Sequence, residues 1–538
     1  LVQIHMKKSV STHISTFLFI GITLLFNACL DEHPRDQLSE DKLNTTADNL
    51  YINTIGNLYH QIGGYNESQG LQGTYRGVYD YNTFSTDEAL LPIRGGDWYD
   101  GGFWQNLYHH TWSSTDIPLY NTWVYLYNSV SLCNNALYEI DQHKALLTDQ
   151  QYMEFTAEAR GLRALFYFYI MDMWGNIPLV LKENTPLNEV KQSPRKQVAI
   201  TLINELLEAI PNLSNVHSNH EGIYYGKFTQ PIAYFLLAKI LLNHEVYIGD
   251  DTMTFNINGH QLPAFQACIA CCDKITQAGY TLENNYADNF IVHNENSKEN
   301  LFTIPMDKTL YTNKFLYLFR SRHYSHGGAY KQDSENGTCA TLSTLKTYGY
   351  ATPEEDKRYR INFFSDTVRV DGKLVYMPDG EPLVYYPTKV ALSLTASKYE
   401  KTAGARMAKY EIDRAAFDDG RLQDNDIVLF RYADVLLMKS EALVRSGRNG
   451  DNELNLVRHR AGMPSRHATL STLLDERLLE LIWEGWRRND LIRFGLFHKA
   501  YDLRQPIEGE SSAFTTLFPI PTNVLKLNLN LKQNPGYK

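Results

Sequence analysis

Cysteine is scarce, with six copies in 538 residues. One of them, Cys29, sits at the end of an N-terminal leader, and the odd set of five beyond it is no disulfide framework. Cys268-x-x-Cys271-Cys272 has no second Cys or His pair at a ligand spacing. It lies in PAFQACIACCDKITQAGY, whose apolar spacing is helical, so these cysteines read as small buried hydrophobes and no zinc is predicted. No apolar run is long enough for a transmembrane helix: Phe17 to Phe26 supplies ten apolar-rich residues, where a span needs about 20. No long basic run interrupts a net charge of -10, which argues against nucleic acid as partner. No D-x-D-x-D-G run is present to hold calcium, although the Asp- and Asn-rich loops leave calcium binding open. A Ser/Thr/Pro linker and a dividing charge block are also missing, so one compact body with irregular excursions is expected.

What is present starts with bulk. A chain 43% hydrophobic and 21% charged is globular, and its length exceeds the roughly 250–300 residues at which single cores stop growing, pointing to several cores or a solenoid. The chain also holds 36 tyrosines and 7 tryptophans. Tyrosine joins a flat apolar face to a hydroxyl at little rotamer cost, which suits wet binding surfaces. At the N-terminus LVQIH precedes Met6 and reads as upstream read-through. Lys7 and Lys8 begin a basic n-region, and Leu-Phe-Asn-Ala-Cys29 ends the apolar region. That ending resembles a bacterial lipobox, whose cysteine is lipidated and becomes the first mature residue. Leu30-Asp31-Glu32 resembles the acidic start of surface-exported lipoproteins of the Bacteroidetes. The expected division is therefore a leader over 1–28 and a body over 29–538, tethered to the outer membrane and facing outward. An ordinary secretory signal with an incidental Cys29 is the alternative.

Helical periodicity dominates the body. A first helix is expected over 36–62, stopped by Gly63-Gly64. DIPLYNTWVYLYNSVSLCNNALYEID and TDQQYMEFTAEARGLRALFYFYIMDMW form one amphipathic pair, ended by Gly175-Asn176-Ile177-Pro178. SPRKQVAITLINELLEAIPNL and KFTQPIAYFLLAKILLNHEVYI form a second, and the cysteine-bearing helix follows. Small residues (Ala159, Gly161, Ala164, Ala233, Ala238) stand where helices must approach, and such pairs resemble tetratricopeptide units. From about 280 to 420 the pattern loosens into short strand-like runs (NLFTIPM, TVRV, KLVYM) and Gly/Asp/Pro turns, before helices return.

Site chemistry is concentrated in RGGDWYDGGFW, residues 94–104. Glycine destabilises a helix interior by about 1 kcal/mol relative to alanine, so four glycines make this a loop, and its rings need a core to cover or a partner to touch. Sugars offer C–H patches to aromatic faces and hydroxyls to carboxylates and amides. Trp98 and Tyr99 are the predicted platform, with Arg94, Asp97 and Asp100 as hydroxyl partners. Trp104 is a further candidate, although its spacing of four from Tyr108 also fits helical packing onto a core. The ring-rich segment 316–330, with His323, Tyr324 and Tyr330, is a possible second wall, and Tyr410 a third. Thr86-Asp87-Glu88 can serve as a turn cap. Adjacent His109 and His110 point apart on a helix, and no third ligand is evident.

Six blocks carry a family resemblance: ARGLRALFYFYIMDMWGNIPLV (159–180), NSKENLFTIP (296–305), LFRYADVLLMKSEAL (429–443), LVRHRAGM (456–463), ERLLELIWEGWRRNDLIRFG (476–495) and FPIPTNVLKLNLNLKQNPGY (518–537). They resemble, in order, the signature blocks of the SusD/RagB family. The resemblance implies a mostly α-helical fold with four tetratricopeptide-like helix pairs, irregular loops and a few short strands, in which an N-terminal part (30–280) and a C-terminal part (281–538) make one body. It also implies capture of nutrients, usually glycans, for a TonB-dependent β-barrel transporter of the SusC kind, without cofactor or catalysis. Two other functions stay open: import of peptides by the same kind of machinery, and a helical glycoside hydrolase. For the latter, Asp87 and Glu88 would be the catalytic carboxylates, although neighbours in a turn rarely provide the separation of roughly 5 to 9.5 Å that hydrolysis requires. Glu480 and Glu484 also stand four apart with Arg487, Arg488 and Arg493 nearby, but i, i+4 carboxylates and guanidiniums are the usual ion pairs of helical packing. They are assigned to the scaffold, as are Arg431, Asp434 and Glu441. The proline-rich ending is expected to lie extended along the helices.

Overall fold

Thr148 opens one of the two longest helices of the described residues. In a computed structural model, which describes residues 44–64, 70–73, 76–310 and 320–538, its hydroxyl accepts from Gln151 N while the Gln151 side chain returns to Thr148 N. This reciprocal cap satisfies two amides that a helix start leaves unpaired. The described residues form two units that divide after Asn53. The first contains the short helix Ala47–Tyr51, capped by Thr46. All that follows concerns the second, whose opening helix Asn57–Gly63 stops at Gly64 with φ +84°, as the glycine pair predicts. Cys29, its leader and Leu316 lie outside the described residues.

Four helix pairs carry the second unit. Ile117–Gln142 (α1) packs on Asp149–Trp174 (α2), Arg195–Ala209 (α3) on Gln230–Leu242 (α4), Ala264–Gln277 (α5) on Tyr432–Arg445 (α6), and Asp451–Arg460 (α7) on Leu470–Leu481 (α8). Successive pairs also touch, α2 against α3, α4 against α5 and α6 against α8. Each helix therefore covers an apolar face that its partner alone leaves bare. The mostly helical architecture inferred from periodicity is thus the observed one.

The third pair is drawn from distant sequence. Residues 278–431 leave α5 and return to α6, and the strands Asn300–Ile304 (β1) and Ile427–Arg431 (β2) pair antiparallel near the excursion's two ends, with Ile427 opposite Ile304 and Arg431 opposite Asn300. That ladder delivers the chain directly to the first turn of α6, where Arg431 is the N-cap residue. Cys268, Cys271 and Cys272 are buried along α5, and burial raises the Cys271 and Cys272 thiols. Among the described residues every cysteine is free and buried, so these behave as small hydrophobes.

Close helix approach explains one small residue directly. A Cβ at Gly161 would lie 2.3 Å from the Phe228 ring. Gly161→Ala is expected to lower stability by about 1–3 kcal/mol through overpacking, read as a lower denaturation midpoint. An unchanged midpoint would reject the close approach. The C-terminal segment lies along the end of α2, with Phe518 N donating to Met173 O (2.8 Å), Trp174 Nε1 to Pro519 O (3.1 Å) and Asn534 Nδ2 to Trp174 O (2.9 Å). It is not wholly extended, since Thr522–Leu527 forms a short helix.

Candidate functional site

Arg94 and Asp97 close a tight turn by exchanging backbone hydrogen bonds of 3.0 and 3.3 Å, with Gly95-Gly96 at its tip. Gly95 holds φ +70°, and a Cβ there would meet Glu400 Oε1 at 2.5 Å. Only glycine fits both the dihedral and the space. Ile93 N donates to Leu392 O (2.9 Å), and Leu394 N donates to Ile93 O (2.8 Å). The loop is thereby anchored to a segment three hundred residues downstream.

Asp97 is brought into contact with Tyr324, and Trp98 and Tyr99 follow it on the same loop. Trp98 is half-buried and adopts φ +65°, a region that costs a bulky side chain on the order of 1–3 kcal/mol. Its Nε1–H donates to Glu335 O at 2.9 Å, and its ring meets Trp104 edge-on, with centroids 6.1 Å apart. Gly337 leaves room for the indole, because a Cβ there would come within 2.8 Å of it. Tyr99 is 60% exposed and Tyr324 46%. The Tyr324 hydroxyl donates to Asp97 Oδ2 (2.9 Å), which also accepts from Lys401 Nζ (3.0 Å). Partial burial would raise the Asp97 carboxyl, but these two hydrogen bonds outweigh it and hold the pKa below the ordinary value. Burial, reinforced by Asp97, pushes the Tyr324 phenol up to about 12.

Asp100 is exposed, yet both its oxygens are engaged, Oδ1 by Arg76 Nη2 (2.9 Å) and Oδ2 by Trp104 Nε1 (2.7 Å). Beside it opens a cleft of about 530 Å³ lined by Arg76, Phe103, Asn106, Thr115 and Asn121. It offers an aromatic edge, two amides and a hydroxyl next to the Trp98 loop.

Three expected contact residues are placed elsewhere. Arg94 is 0% exposed and its guanidinium is spent on the carbonyls of Gly337 (3.1 Å), Glu400 (3.0 Å) and Ala403 (3.0 Å). Burial, with Arg406 nearby, lowers its pKa to about 9. It ties the loop down instead of facing a ligand. Trp104 is 2% exposed against Phe84, Phe103 and the Arg320 guanidinium, so it supports Trp98 from beneath. Tyr410 is 7% exposed, packs on Phe290 and accepts from Val428 N, inside the core. Conversely Lys401, Glu335 and Arg76 join the site without any local pattern that marks them.

The remaining candidates are structural. Tyr330 stacks with Arg414, and His323 caps the helix Tyr324–Ala329. His110 is buried between Glu510 and Ser85 O, and burial lowers its pKa to about 4. Arg431 donates to Glu299, Glu480 and Glu484, Asp434 pairs with Lys239 and Arg477, and Glu441 pairs with Arg493 and Arg445. Among the described residues His244, Glu245 and Asp251 bring one possible ligand atom each within 4.8 Å of one another. Their grouping is accounted for by ion pairs, His244 with Asp251 and Glu245 with Arg445.

Thr86-Asp87-Glu88 does more than cap a turn. Asp87 binds Arg487 through both oxygens (2.6 and 2.7 Å), and Glu88 Oε1 accepts from Trp483 N (2.7 Å). Burial pushes Glu88 up to about 8, against the pull of the Trp483 amide, Arg487 and Lys409. An acid raised in this way keeps its proton in the folded state while the unfolded chain releases it above the ordinary 4.5. The native state therefore loses about 1.4 kcal/mol per pH unit as pH climbs between those two values. Glu88→Gln is expected to melt higher than the parent at pH 7.5 and to lose that advantage at pH 4.5. An equal difference at both pH values would refute the raised pKa.

A sequence profile described as the SusD family matches residues 250–537, and one described as "Starch-binding associating with outer membrane" matches residues 68–242. The chain is similar to the starch-binding protein SusD of Bacteroides thetaiotaomicron, at 23% identity over 512 residues covering 88% of this chain and 87% of that protein. It is similar also to a SusD-like protein of Bacteroides ovatus, at 26% over 437 residues, covering 78% and 73%. Among solved structures, a laminarin-binding SusD-like protein superposes with TM-score 0.70 at 21% identity, over 91% of this chain and all of that one. Surface glycan-binding protein A from Bacteroides thetaiotaomicron, in complex with laminarihexaose, gives TM-score 0.69 at 20% identity, over 91% of this chain and 100% of that chain. At these identities the structural likeness concerns the fold.

Proposed function

The chain belongs to the SusD family, and from that membership we propose that it is a non-catalytic glycan-binding protein of the outer-membrane surface. It captures oligo- or polysaccharide at Trp98, Tyr99 and Tyr324 and passes it to a SusC-like TonB-dependent transporter. The observation that carries this reading is the half-exposed Trp98, held in a left-handed backbone beside two exposed tyrosines and the carboxylate of Asp97. Aromatic faces take the C–H patches of a sugar ring, while Asp97, Asp100 and Lys401 exchange hydrogen bonds with its hydroxyls. Anchoring through Cys29 belongs to the same proposal, supported by the outer-membrane association in the description of the profile over residues 68–242.

The carboxylates support binding without cleavage: Glu88, whose pKa is raised, is buried and held by Trp483 N, and Asp87 beside it is bound by Arg487. Glycoside hydrolysis requires a general acid with a raised pKa opposite a second carboxylate. Asp97 is shifted the opposite way and bound to Lys401, and Asp100 is held by Arg76 and Trp104. Relatives named for starch and laminarin set the first ligands to try. Affinity electrophoresis through gels containing starch, laminarin and other polysaccharides is expected to retard the protein in at least one of them. Reducing-end assays on the same panel are expected to stay at background. Retardation by none of the glycans, with peptides bound instead, would turn the reading to peptide import, and released reducing ends would reject the binding-only claim.

A further inference from the structure

A second cleft, of about 870 Å³, shares no lining residue with the Trp98 surface. It lies among the helix Leu342–Thr347, the start of α8 and residues 491–501. Its arginines are mostly neutralised: Arg487 by Asp87, Arg493 by Glu441 and Asp490, and Arg445 by Glu441. Three further lining cations differ. Lys346, Arg466 and Lys499 are exposed, and among the described residues none of them makes an ion pair. The backbone of Arg466 is nevertheless fixed, its N–H donating to Asn455 Oδ1 (2.8 Å) and its carbonyl accepting from Asn455 Nδ2 (3.0 Å).

Uncompensated positive charge is unexpected in a chain of net charge -10. Exposed cations scattered over such a surface would ordinarily be balanced by neighbouring carboxylates, yet here three converge on one concavity. Two acidic groups also line the cleft: Asp87 is bound through both oxygens by Arg487, and burial shifts the Asp475 carboxyl toward the neutral form against the pull of Arg487 and Arg466. The Ser471 hydroxyl lines the same walls beside the half-buried rings of Phe494 and Tyr501, while the hydroxyls of Ser343 and Thr347 donate to Asp502 Oδ1 (2.9 Å) and the Ser343 carbonyl (3.0 Å). Exposed cations beside a hydroxyl and two rings suit a ligand that is anionic, rich in hydroxyls and ring-shaped.

We propose that this cleft is a second binding site, for an acidic saccharide whose sulfate or uronate carboxylate sits among Lys346, Arg466 and Lys499. The proposal is independent of the Trp98 surface. Its test is calorimetric titration of the protein with tetragalacturonate and with a sulfated carrageenan tetrasaccharide, at low and at physiological ionic strength, with maltohexaose as neutral control. One acidic ligand is expected to bind, and to weaken with salt because the cations are exposed. Combined Lys346→Ala, Arg466→Ala and Lys499→Ala substitutions should weaken it by roughly tenfold or more, through loss of charge-assisted hydrogen bonds. These side chains lie at the surface, and an unchanged thermal melt verifies that the variant is folded. Trp98→Ala should leave acidic binding intact, which separates failure at this cleft from failure of the glycan-capture reading. No binding of either acidic ligand, binding indifferent to the triple substitution, or loss of it in Trp98→Ala would each overturn the proposal.

Discussion

Replacing Arg431 by alanine is expected to destabilise the protein by about 3–5 kcal/mol, because it strips the counter-charge from carboxylates with no access to water. The guanidinium donates from Nε to Glu484 Oε2 (2.8 Å), from Nη1 to Glu299 Oε1 (2.8 Å) and from Nη2 to the Glu480 carbonyl (2.6 Å). Arg431 and its three glutamates are buried to within 2% of completely at their side chains. Arg358 and Arg460 also contact Glu480, and against a burial that acts in the other direction these guanidiniums and Arg431 hold its carboxyl well below the ordinary carboxylate range. Without Arg431, Glu299 keeps Arg460 and Glu484 keeps Lys409, but three buried carboxylates lose the guanidinium they share at the junction of β2, α6 and α8. Arg431→Lys should recover little, since one ammonium cannot fork to three partners in a plane. Chemical denaturation is the measurement, and a midpoint within error of the parent for Arg431→Ala would remove this network as a source of stability.

Much of this architecture was legible because helices advertise themselves locally. Glycine after α2 and the apolar stripes of α1 and α3 each depend on residues a few positions apart. The i, i+4 spacing of Glu480 and Glu484 likewise pointed to packing, and both lie in the buried ion network. The pairing of α5 with α6 was not legible, since it depends on the β1–β2 ladder drawing together residues more than a hundred positions apart. The site divides in the same way. Asp97, Trp98 and Tyr99 are visible as a ring-rich loop, and the structure adds the Tyr324 hydroxyl to Asp97. Arg94, expected as a partner for sugar hydroxyls, instead has the carbonyls of residues 337, 400 and 403 as partners, which only the tertiary fold brings to it. Tyr410 sits in a stretch without apolar period, so nothing local disclosed that its hydroxyl accepts from Val428 N. Lys401 was missed for the same reason, as only the tertiary fold brings it to Asp97.

Trp98→Ala is expected to weaken binding of a retained glycan by about 5- to 150-fold, the loss of one stacked ring at roughly 1–3 kcal/mol by analogy with base stacking. The energetics of the loop separate this from a structural effect. Trp98 occupies φ +65°, where a side chain is strained, so a purely structural tryptophan would be working against its own backbone. Trp98→Gly relieves the dihedral and removes the ring together. Its melting temperature should stay close to the parent's, because the relief of strain offsets the lost contact with Trp104 and the lost hydrogen bond to Glu335 O. Its glycan affinity should fall as far as that of Trp98→Ala. Trp98→Phe keeps a stacking face without the Nε1 donor, and should retain part of the affinity. Tyr324→Phe removes the hydroxyl that orients Asp97 while leaving the ring, and should weaken binding less than either tryptophan deletion. Should Trp98→Gly melt well below the parent while still binding glycan, the indole would be a structural wedge and the ligand platform would have to lie elsewhere on the chain.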